Sequence, residues 1–385
     1  MAITSGKERV DNVGGNAPEL RADRRRRKAE HLAAVREIGD NAYSTTWLED
    51  VHLIPDCMPE LAWDEVSLHT QLCGVALASP IVINAMTGGA PESYEVNRRL
   101  AMVAKKHHLA MAVGSETSAL RDPDMAYTYE VIREVNPDGV VIANVGMGCT
   151  AADAQRAVEL VGANLLQVHW NVAQELFMAE GDRDFYGAQE ALAQVVAEVD
   201  VPVIAKEVGQ GIAAEQARRF VQLGVAGIDV GGVGGTNFMA VEAHRRGWQL
   251  AASWHQWGLT TAASLCEVVG AVGDQVDVVS SGGIRNAHDI AKSMAIGACA
   301  VGIAGEFLRR VSGADELTAL DAVDHYVEEL HWSLRTLLIL TGSRTWQDMR
   351  SRPVVVTGRL REWLEARGFA DFAVRLARRG LIQES

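Results

Sequence analysis

Short apolar runs alternate with segments of helical spacing over most of the chain. The runs are rich in β-branched residues and are bounded by glycines, which is typical of buried strands. Each segment between them has apolar residues three and four positions apart and is long enough to return the chain to another parallel strand. The predicted strands are 80–89, 109–115, 139–146, 165–171, 201–209, 227–232, 277–283 and 298–305, and the predicted helices are 92–106, 123–135, 151–162, 186–199, 213–223, 260–271 and 286–296.

This alternation predicts an α/β fold, and specifically a closed (β/α)8 TIM barrel. Closing eight parallel strands into a barrel leaves no unpaired edge to protect, so the barrel is preferred to the alternative, an open doubly wound sheet. The longest gap between predicted elements, 233–259, follows the sixth strand. Loops in that position form the catalytic face of barrel enzymes.

The flanking segments have a different character. The first residues are polar and rich in glycine and asparagine without any period, which is typical of disorder. The next segment has a helical pattern over 24–38 and then an irregular lead-in with a short predicted strand at Glu65–Leu68. The predicted division is a disordered 1–23, a helix and lead-in over 24–78, the barrel over 79–345 and a C-terminal extension over 346–385.

Composition and charge narrow the class of protein. With 385 residues, of which 48% are hydrophobic, the chain can bury a large core. Its formal net charge of -14 repels nucleic acid and anionic lipid, so we expect neither as a partner, and an anionic substrate needs a local basic site. No apolar run reaches the length of a membrane span. The cysteines are scattered without CxxC spacing, which fits a reducing cytoplasm; they are Cys57, Cys73, Cys149, Cys266 and Cys299.

A basic segment, RADRRRRKAEHL, opens the predicted first helix. Arg27 and His31 lie four residues apart and share a helix face, and Lys28 is next to them. Such a group could clamp a diphosphate. A nuclear-localisation or nucleic-acid patch and a solvated helix start are the other two interpretations.

Polar groups are concentrated directly after the fourth strand, in HWNVAQE. Carboxylate and amide oxygens of this kind suit Mg²⁺, which takes one or two carboxylates and leaves positions for water and substrate phosphate. With one histidine in the group, a transition metal is a poorer fit. A hydrogen-bonded loop is the alternative for each residue taken alone. The residues are His169, Asn171, Gln174 and Glu175.

Glycine-rich loops follow the last two strands, in SSGGIR (280–285) and VGIAGEF (301–307). Glycine lets backbone N–H groups approach an anion closely, so these loops predict a phosphate site, although paired glycines also form ordinary turns. A third loop, VGGVGGTNF (230–238), is too loose for a dinucleotide fingerprint because no strand-turn-helix unit is predicted around it.

One cation stands in an otherwise apolar strand, the fifth. Lys206 needs a partner there, which is either a neighbouring carboxylate (Glu207 or Asp229) or negative charge on a cofactor or intermediate. Asn144 and Ser115, at the ends of the third and second strands, are either turn formers or ligand-binding residues.

Taken together, these motifs resemble one family. RKAEH, INAMTGG, GSETSAL, ANVG, LLQVHWNVAQELFMAEGDR, VPVIAKEVG, GGTNF, SGGIR and AVGIAG occur in the order and spacing of the FMN-dependent type 2 isopentenyl-diphosphate isomerases, over roughly residues 24–365. The resemblance implies that isopentenyl diphosphate is converted to dimethylallyl diphosphate without net redox change: reduced flavin would protonate the terminal alkene and remove a proton from C2. It also implies Mg²⁺, recycling by NADPH, and a homo-oligomer, either a tetramer or an octamer.

The resemblance also assigns residues. For FMN it implies Met86 and Thr87 beside the isoalloxazine, Ser115, Asn144 and Lys206 on its polar atoms, and Thr236, Gly283, Arg285, Ala304 and Gly305 around its phosphate. For the substrate it implies Arg27, Lys28 and His31 on the diphosphate, His169, Asn171 and Gln174 near the allylic end, and Glu175 on Mg²⁺.

The chain departs from the family at several positions. The family has Gln where Glu116 stands, an aliphatic residue where Trp170 stands and Pro where Ala179 stands, while Trp254 and Trp257 add aromatic bulk. If Trp170 faces inward, the alternative function is that of an FMN-dependent isomerase or cyclase that acts on a different or longer prenyl diphosphate. Two different functions also stay open, a flavin 2-hydroxy-acid oxidoreductase and a non-catalytic scaffold.

Overall fold

The lead-in to the barrel contains one long helix and three short strands. The computed structural model describes residues 18–39, 41, 43–312 and 315–380. The helix begins before the predicted start near residue 24, because a proline fits the first helical position, where its missing N–H would be unpaired anyway. The expectation for residues 1–17 lies outside the described residues. These elements are α1 (Pro18–Ile38), β1 (Val51–Leu53), β2 (Thr70–Leu72) and β3 (Val75–Leu77).

The predicted strand at Glu65–Leu68 is wrong. Trp63–Glu65 forms a 3₁₀ turn instead, in which the Glu65 carboxylate accepts a hydrogen bond from the backbone N–H of Ala62 at 2.7 Å. The strand begins only at Thr70 and pairs with β3 as a hairpin.

A closed barrel of eight parallel strands forms the centre of the described chain, which confirms the predicted fold class. The strands follow one another around the barrel in chain order. They are shorter than the apolar runs because the last residues of each run leave the ladder and enter the loops. The barrel strands are β4 (Ile81–Ile83), β5 (Ala110–Ala112), β6 (Val141–Gly146), β7 (Leu165–Trp170), β8 (Val203–Glu207), β9 (Gly227–Asp229), β10 (Asp277–Ser281) and β11 (Ala300–Ile303).

Helices follow each of these strands and pack around the barrel, as the sequence predicted. The predicted gap of 233–259 contains two unpredicted helices, α9 and α10. The helices are α2 (Pro91–His107), α3 (Thr117–Arg121), α4 (Tyr127–Val135), α5 (Ala151–Val161), α6 (Val172–Phe177), α7 (Ala188–Glu198), α8 (Ala214–Gln222), α9 (Phe238–Arg245), α10 (Ala252–His255), α11 (Thr261–Val272), α12 (Ala287–Ile296) and α13 (Gly305–Val311).

The C-terminal segment packs back onto the lead-in. β12 pairs antiparallel with β1, with Val51 opposite Val356. The division of the chain into 24–78, 79–345 and 346–385 stays a prediction. The C-terminal elements are α14 (Glu316–Leu340), α15 (Trp346–Arg350), β12 (Val354–Val356), α16 (Gly358–Ala366) and α17 (Ala370–Arg378).

Alternation along the strands separates two cores. In β7, Leu165 belongs to the buried cluster inside the barrel, and Leu166 and Val168 belong to the cluster between the barrel and its helices. Leu72 and Leu77 of the β2–β3 hairpin join the inner cluster. The amino end of the barrel is therefore filled with apolar side chains, and polar side chains occupy the other end, where the strands lead into the loops.

Candidate active site

Polar side chains occupy the interior of the barrel toward the carboxyl ends of its strands. They stand on inward-facing positions, Asn144 and Gln167 in the middle of their strands and the others at or near the carboxyl ends, and all are nearly or fully buried. Asn144 donates from Nδ2 to Gln167 Oε1 at 3.1 Å, and Lys206 Nζ lies 2.8 Å from Asp229 Oδ2. Asp229 is thus the partner of Lys206 that the sequence had left open between two carboxylates. The set consists of Asn84, Asn144, Gln167, Lys206, Asp229 and Ser281.

His169 continues this set toward the mouth. Its Nδ1 lies 2.8 Å from Asn144 Oδ1. Burial lowers the pKa of His169 to about 4, and the nearby charges of Lys28 and Lys206 add to that effect, while the Val145 carbonyl opposes it. The imidazole is therefore neutral at neutral pH.

Helix α6 carries the predicted amide and carboxylate group. Asn171 donates from Nδ2 to Glu175 Oε1 at 2.8 Å, and the backbone N–H of Asp182 donates to Glu175 Oε2 at 2.9 Å. The Arg183 guanidinium donates to the carbonyls of Glu175 and Met178 at 2.5 and 2.7 Å. The EGDR turn is therefore folded around Glu175 and fixes its carboxylate on the first turn of α6.

The basic group of α1 lies over this region. His31 Nε2 lies 2.7 Å from Glu242 Oε1, and Arg27 lies 3.9 Å from Glu180. Burial lowers the pKa of Lys28 to about 8, and the charge of Arg27 contributes. The structure thus brings the three predicted diphosphate-binding residues to the barrel mouth.

Other arginines of this segment are paired with the chain's own carboxylates. Arg25 donates to Asp122 at 2.7 Å, and Arg21 lies 3.8 Å from the same carboxylate. Arg26 lies 3.6 Å from Glu30, one helical turn away. The pairs of Arg21 and Arg25 with Asp122 attach α1 to the end of α3, so the segment packs on the barrel.

Glu242 is a site residue that the sequence analysis missed. It is fully buried on α9, and Gln174 donates to its Oε1 at 2.9 Å. Arg245 donates to its Oε2 at 2.6 Å. Glu242 therefore joins α1, α6 and α9. The hydrophobic pattern did not predict a helix within 233–259, so it did not indicate which way Glu242 would point.

The glycine loop VGGVGGTNF (230–238) meets SSGGIR (280–285), which is one of the two loops predicted to form a phosphate site; the other, VGIAGEF (301–307), includes the end of β11 and the start of α13. A Cβ on Gly235 would lie 2.6 Å from the backbone nitrogen of Gly283, whose φ is +77°. Arg285 donates to the carbonyls of Gly283 at 2.5 Å and Gly234 at 2.7 Å. Contrary to the sequence analysis, VGGVGGTNF does connect a strand to a helix, since β9 precedes it and α9 follows it.

The donor set fits FMN. A phosphate needs backbone N–H groups that can be approached closely together with a fixed cation, and the glycine loops with Arg285 supply both. A flavin ring needs polar donors at its edge, and Asn144 and Lys206, fixed by Gln167 and Asp229, could supply them at the barrel mouth.

The remaining residues predicted to bind FMN lie in several different segments that follow the barrel strands. Thr87 is bonded through its hydroxyl to Ser93 at 2.8 Å, and Ser115 to Thr117 at 3.2 Å. Met86 is partly buried after β4, and Thr236 lies in the glycine loop before α9. Ala304 and Gly305 begin α13, directly after β11.

A magnesium ion would find one carboxylate in this group. No cluster of three or more metal-ligating side chains occurs among the residues that the structure describes. Glu175 is therefore compatible with a metal that substrate oxygens and water also coordinate, which is the usual coordination of Mg²⁺.

Trp170 and Glu116 are two positions at which the chain departs from the family pattern. Trp170 faces outward, with its ring centroid 5.3 Å from that of Phe220 on α8. Glu116 is fully buried and accepts a hydrogen bond from the Asn144 backbone N–H at 2.8 Å. Burial raises the pKa of Glu116 well above its usual value, an effect that the Asn144 bond only partly offsets.

The aromatic residues after β9 lie on the rim. Trp254 packs against Phe177 of α6 at a centroid distance of 5.2 Å and against Trp257 at 6.0 Å. Both tryptophans remain exposed. No helix in the described part of the chain has both the length and the apolar character that a membrane crossing requires.

Solved flavoenzymes share the fold. A flavocytochrome b2 variant matches with a TM-score of 0.64 and 16% identity, covering 91% of this chain and 86% of that chain. A mandelate oxidase variant with benzaldehyde matches with a TM-score of 0.61 and 22% identity, covering 87% and 98%. At these identities the likeness concerns the fold alone.

Curated relatives are much more similar in sequence. The isopentenyl-diphosphate delta-isomerase of Bacillus pumilus is 43% identical over 348 residues, covering 90% of this chain and 95% of the relative. Those of Moorella thermoacetica and Symbiobacterium thermophilum are 44% and 46% identical, covering 89% and 83% of this chain and 97% and 87% of the relatives. The family model described as FMN-dependent dehydrogenase matches residues 149–356. The chain belongs to the isopentenyl-diphosphate delta-isomerase family, and over residues 149–356 it matches the FMN-dependent dehydrogenase family.

Proposed function

We propose that this protein converts isopentenyl diphosphate to dimethylallyl diphosphate with FMN as its cofactor. The observation that carries the proposal is the meeting of the basic face of α1, the α6 group and His169 at one barrel mouth, in a chain 43% identical to a curated isomerase. This arrangement provides cations for a diphosphate beside the buried polar side chains of the barrel mouth.

Arg27, Lys28 and His31 hold the diphosphate. Burial without a full counter-charge lowers the pKa of Lys28 to about 8, and a bound anion restores the charge of its ammonium. His31 is held by Glu242, and Arg27 can exchange its long contact of 3.9 Å with Glu180 for the stronger charge of a diphosphate.

His169, Asn171 and Gln174 position the allylic end. A neutral imidazole does not repel a developing carbocation. The low pKa of His169 keeps its ring neutral. When bound, reduced FMN supplies a proton donor and acceptor and an electron-rich ring face. Lys206, fixed by Asp229, places a positive charge where it favours an anionic reduced cofactor.

The proposal includes three further components. Glu175 binds Mg²⁺ together with the diphosphate, in keeping with its fixed carboxylate. NADPH maintains the reduced cofactor. The protein acts in the cytoplasm as a homo-oligomer, either a tetramer or an octamer.

The outward packing of Trp170 argues against an altered pocket. Since its ring lies against Phe220, the departure that had favoured a longer prenyl diphosphate does not reshape the substrate wall. We therefore favour the five-carbon substrate.

The test is anaerobic incubation with FMN, reductant, Mg²⁺ and, separately, isopentenyl, geranyl or farnesyl diphosphate, followed by product identification. Dimethylallyl diphosphate from the first alone is expected. Conversion only of the longer substrates, or oxidation of a 2-hydroxy acid in their place, would overturn the proposal. Lys28→Met, which removes one diphosphate contact, should raise KM far more than it lowers kcat.

A further inference from the structure

Asp229 enters the function proposed above only as the partner of Lys206, yet four side chains donate hydrogen bonds to its carboxylate. It is fully buried at the end of β9. Its Oδ2 accepts from Lys206 at 2.8 Å, Asn84 at 2.9 Å and Gln167 at 3.3 Å, and Ser281 donates to Oδ1. These donors come from four other barrel strands or their ends, so the carboxylate fixes the geometry of the whole mouth.

A hydrogen-bonded chain leads from this carboxylate to the proposed site. Gln167 donates to Asp229 and accepts from Asn144 Nδ2 at 3.1 Å, and Asn144 Oδ1 lies 2.8 Å from His169 Nδ1. We call Asp229, Gln167, Asn144 and His169 the amide relay.

The relay has a fixed direction. An ionised carboxylate can only accept, so Gln167 must turn its NH₂ group toward Asp229 and its oxygen toward Asn144. Asn144 must then present its NH₂ to Gln167 and its oxygen to His169. The histidine can satisfy that oxygen only if its proton is on Nδ1, which leaves Nε2 with a lone pair.

We propose that Asp229 is a positioning residue that sets the tautomer of His169 through the amide relay and orients the ammonium of Lys206. It does so without touching the substrate. The catalytic consequence rests on the proposed function, but the tautomer itself does not. Without the Asp229 carboxylate, the NH₂ group of Gln167 keeps only its 3.3 Å bond to Asn84 Oδ1. Both amides can then reverse, and His169 can carry its proton on either nitrogen.

The experiment measures the tautomer directly. Holoenzyme labelled with [¹⁵N]histidine is observed by two-bond ¹H–¹⁵N correlation, with the His169 signals identified by their loss in His169→Gln. We expect the Nδ1–H form alone in the wild type. In Asp229→Asn, we expect a mixture of the two neutral tautomers. Retention of the Nδ1–H form alone in folded Asp229→Asn would overturn the inference.

Two further variants keep the test informative. Gln167→Leu cuts the relay and leaves the Asp229–Lys206 pair intact, so it should produce the same mixture even if Asp229→Asn does not fold; an unchanged tautomer would again count against the relay. Ser281→Ala removes a donor to the other carboxylate oxygen and should retain the wild-type tautomer. Mixed tautomers in Ser281→Ala would mean that general loosening, rather than the relay, controls His169.

Turnover separates this inference from the proposed function. If the function is right, Gln167→Leu should lower kcat at least tenfold and change KM for isopentenyl diphosphate less than threefold, because the diphosphate-binding residues lie outside the relay. A wild type that lacks isomerase activity but shows the expected tautomers would sink the proposed function alone. Normal activity with an Nε2–H tautomer would sink the relay alone.

Discussion

Replacing Glu116 by glutamine should stabilise the protein increasingly as the pH rises. Glu116 is fully buried, and its Oε1 has no hydrogen-bond partner among the described residues, while Oε2 accepts from the Asn144 backbone. Burial therefore raises the pKa of this carboxyl well above the usual 4.5. In the folded protein the group stays protonated at pH values where the unfolded chain has released that proton.

The sign and size of the effect follow from linkage. Because the folded state holds the extra proton, wild-type stability is unaffected below pH 4.5 and falls as the pH rises from there through the raised folded pKa. The slope is at most about 1.4 kcal/mol per pH unit, which amounts to as much as about 3 kcal/mol at pH 7. A glutamine keeps the acceptor for Asn144 and has no proton to lose.

The assay is urea unfolding of wild type and Glu116→Gln with saturating FMN at pH 5, 6.5 and 8. The stability difference should be small at pH 5 and grow by about 1–3 kcal/mol by pH 8. Glu198→Gln, at an exposed position on α7, is the matched control and should show no such growth. Parallel curves for wild type and Glu116→Gln would refute the reasoning, since they would mean that the carboxyl is ionised in the fold. The same neutrality predicts an unchanged flavin reduction potential in Glu116→Gln.

Four other substitutions test the site. Glu175→Gln should raise the Mg²⁺ concentration needed for half-maximal activity about tenfold, as measured by Mg²⁺ titration, because it removes the charge of the proposed ligand; an unchanged requirement would reject that role. Lys206→Ala should leave Asp229 as an unpaired buried carboxylate, weaken FMN retention on gel filtration and lower the flavin reduction potential. Trp170→Leu should cost about 1–2 kcal/mol in unfolding experiments through lost packing on Phe220, with product identity unchanged. Lys28→Met should stabilise the protein below pH 8, where the buried ammonium remains charged, and this gain should disappear as the pH rises from about 8 toward 10.5, the usual lysine value.

The hydrophobic pattern predicted the barrel because a buried parallel strand is an unbroken apolar run, and that property is local. Each of the eight predicted runs contains a barrel strand. The strand predicted at Glu65–Leu68 failed for the opposite reason: a local capping bond from Ala62 to Glu65 favours a turn there. Local signals therefore predicted the barrel strands and most of the helices between them, but they missed α9 and α10 in the gap after β9.

The interior of the site was less predictable, because its pairs are distant in sequence. Gln167 shares a strand face with Leu165 and His169, and that spacing of two was a usable signal that it points into the barrel. Glu242 offered no such signal, since its partners His31 and Gln174 come from other helices. The sequence offered two carboxylates, Glu207 and Asp229, as partners of Lys206. The register of β8 against β9 decides between them, because it places Lys206 beside Asp229.

The electrostatic character of the mouth limits how a carbocation can be stabilised there. Burial lowers the pKa of Lys28 to about 8 and that of His169 to about 4, and it raises that of Glu116, so each shift disfavours the charged form. Such a dry environment also disfavours a tertiary cation unless a negative charge faces it. Asp229 is bonded to Lys206, Glu242 to His31 and Arg245, and Glu175 to Asn171. Since Asp229 and Glu242 are already paired with basic groups and Glu175 is proposed to bind Mg²⁺, we propose that the compensating charge arrives with the bound cofactor and the diphosphate, which the cations of α1 and β8 would hold.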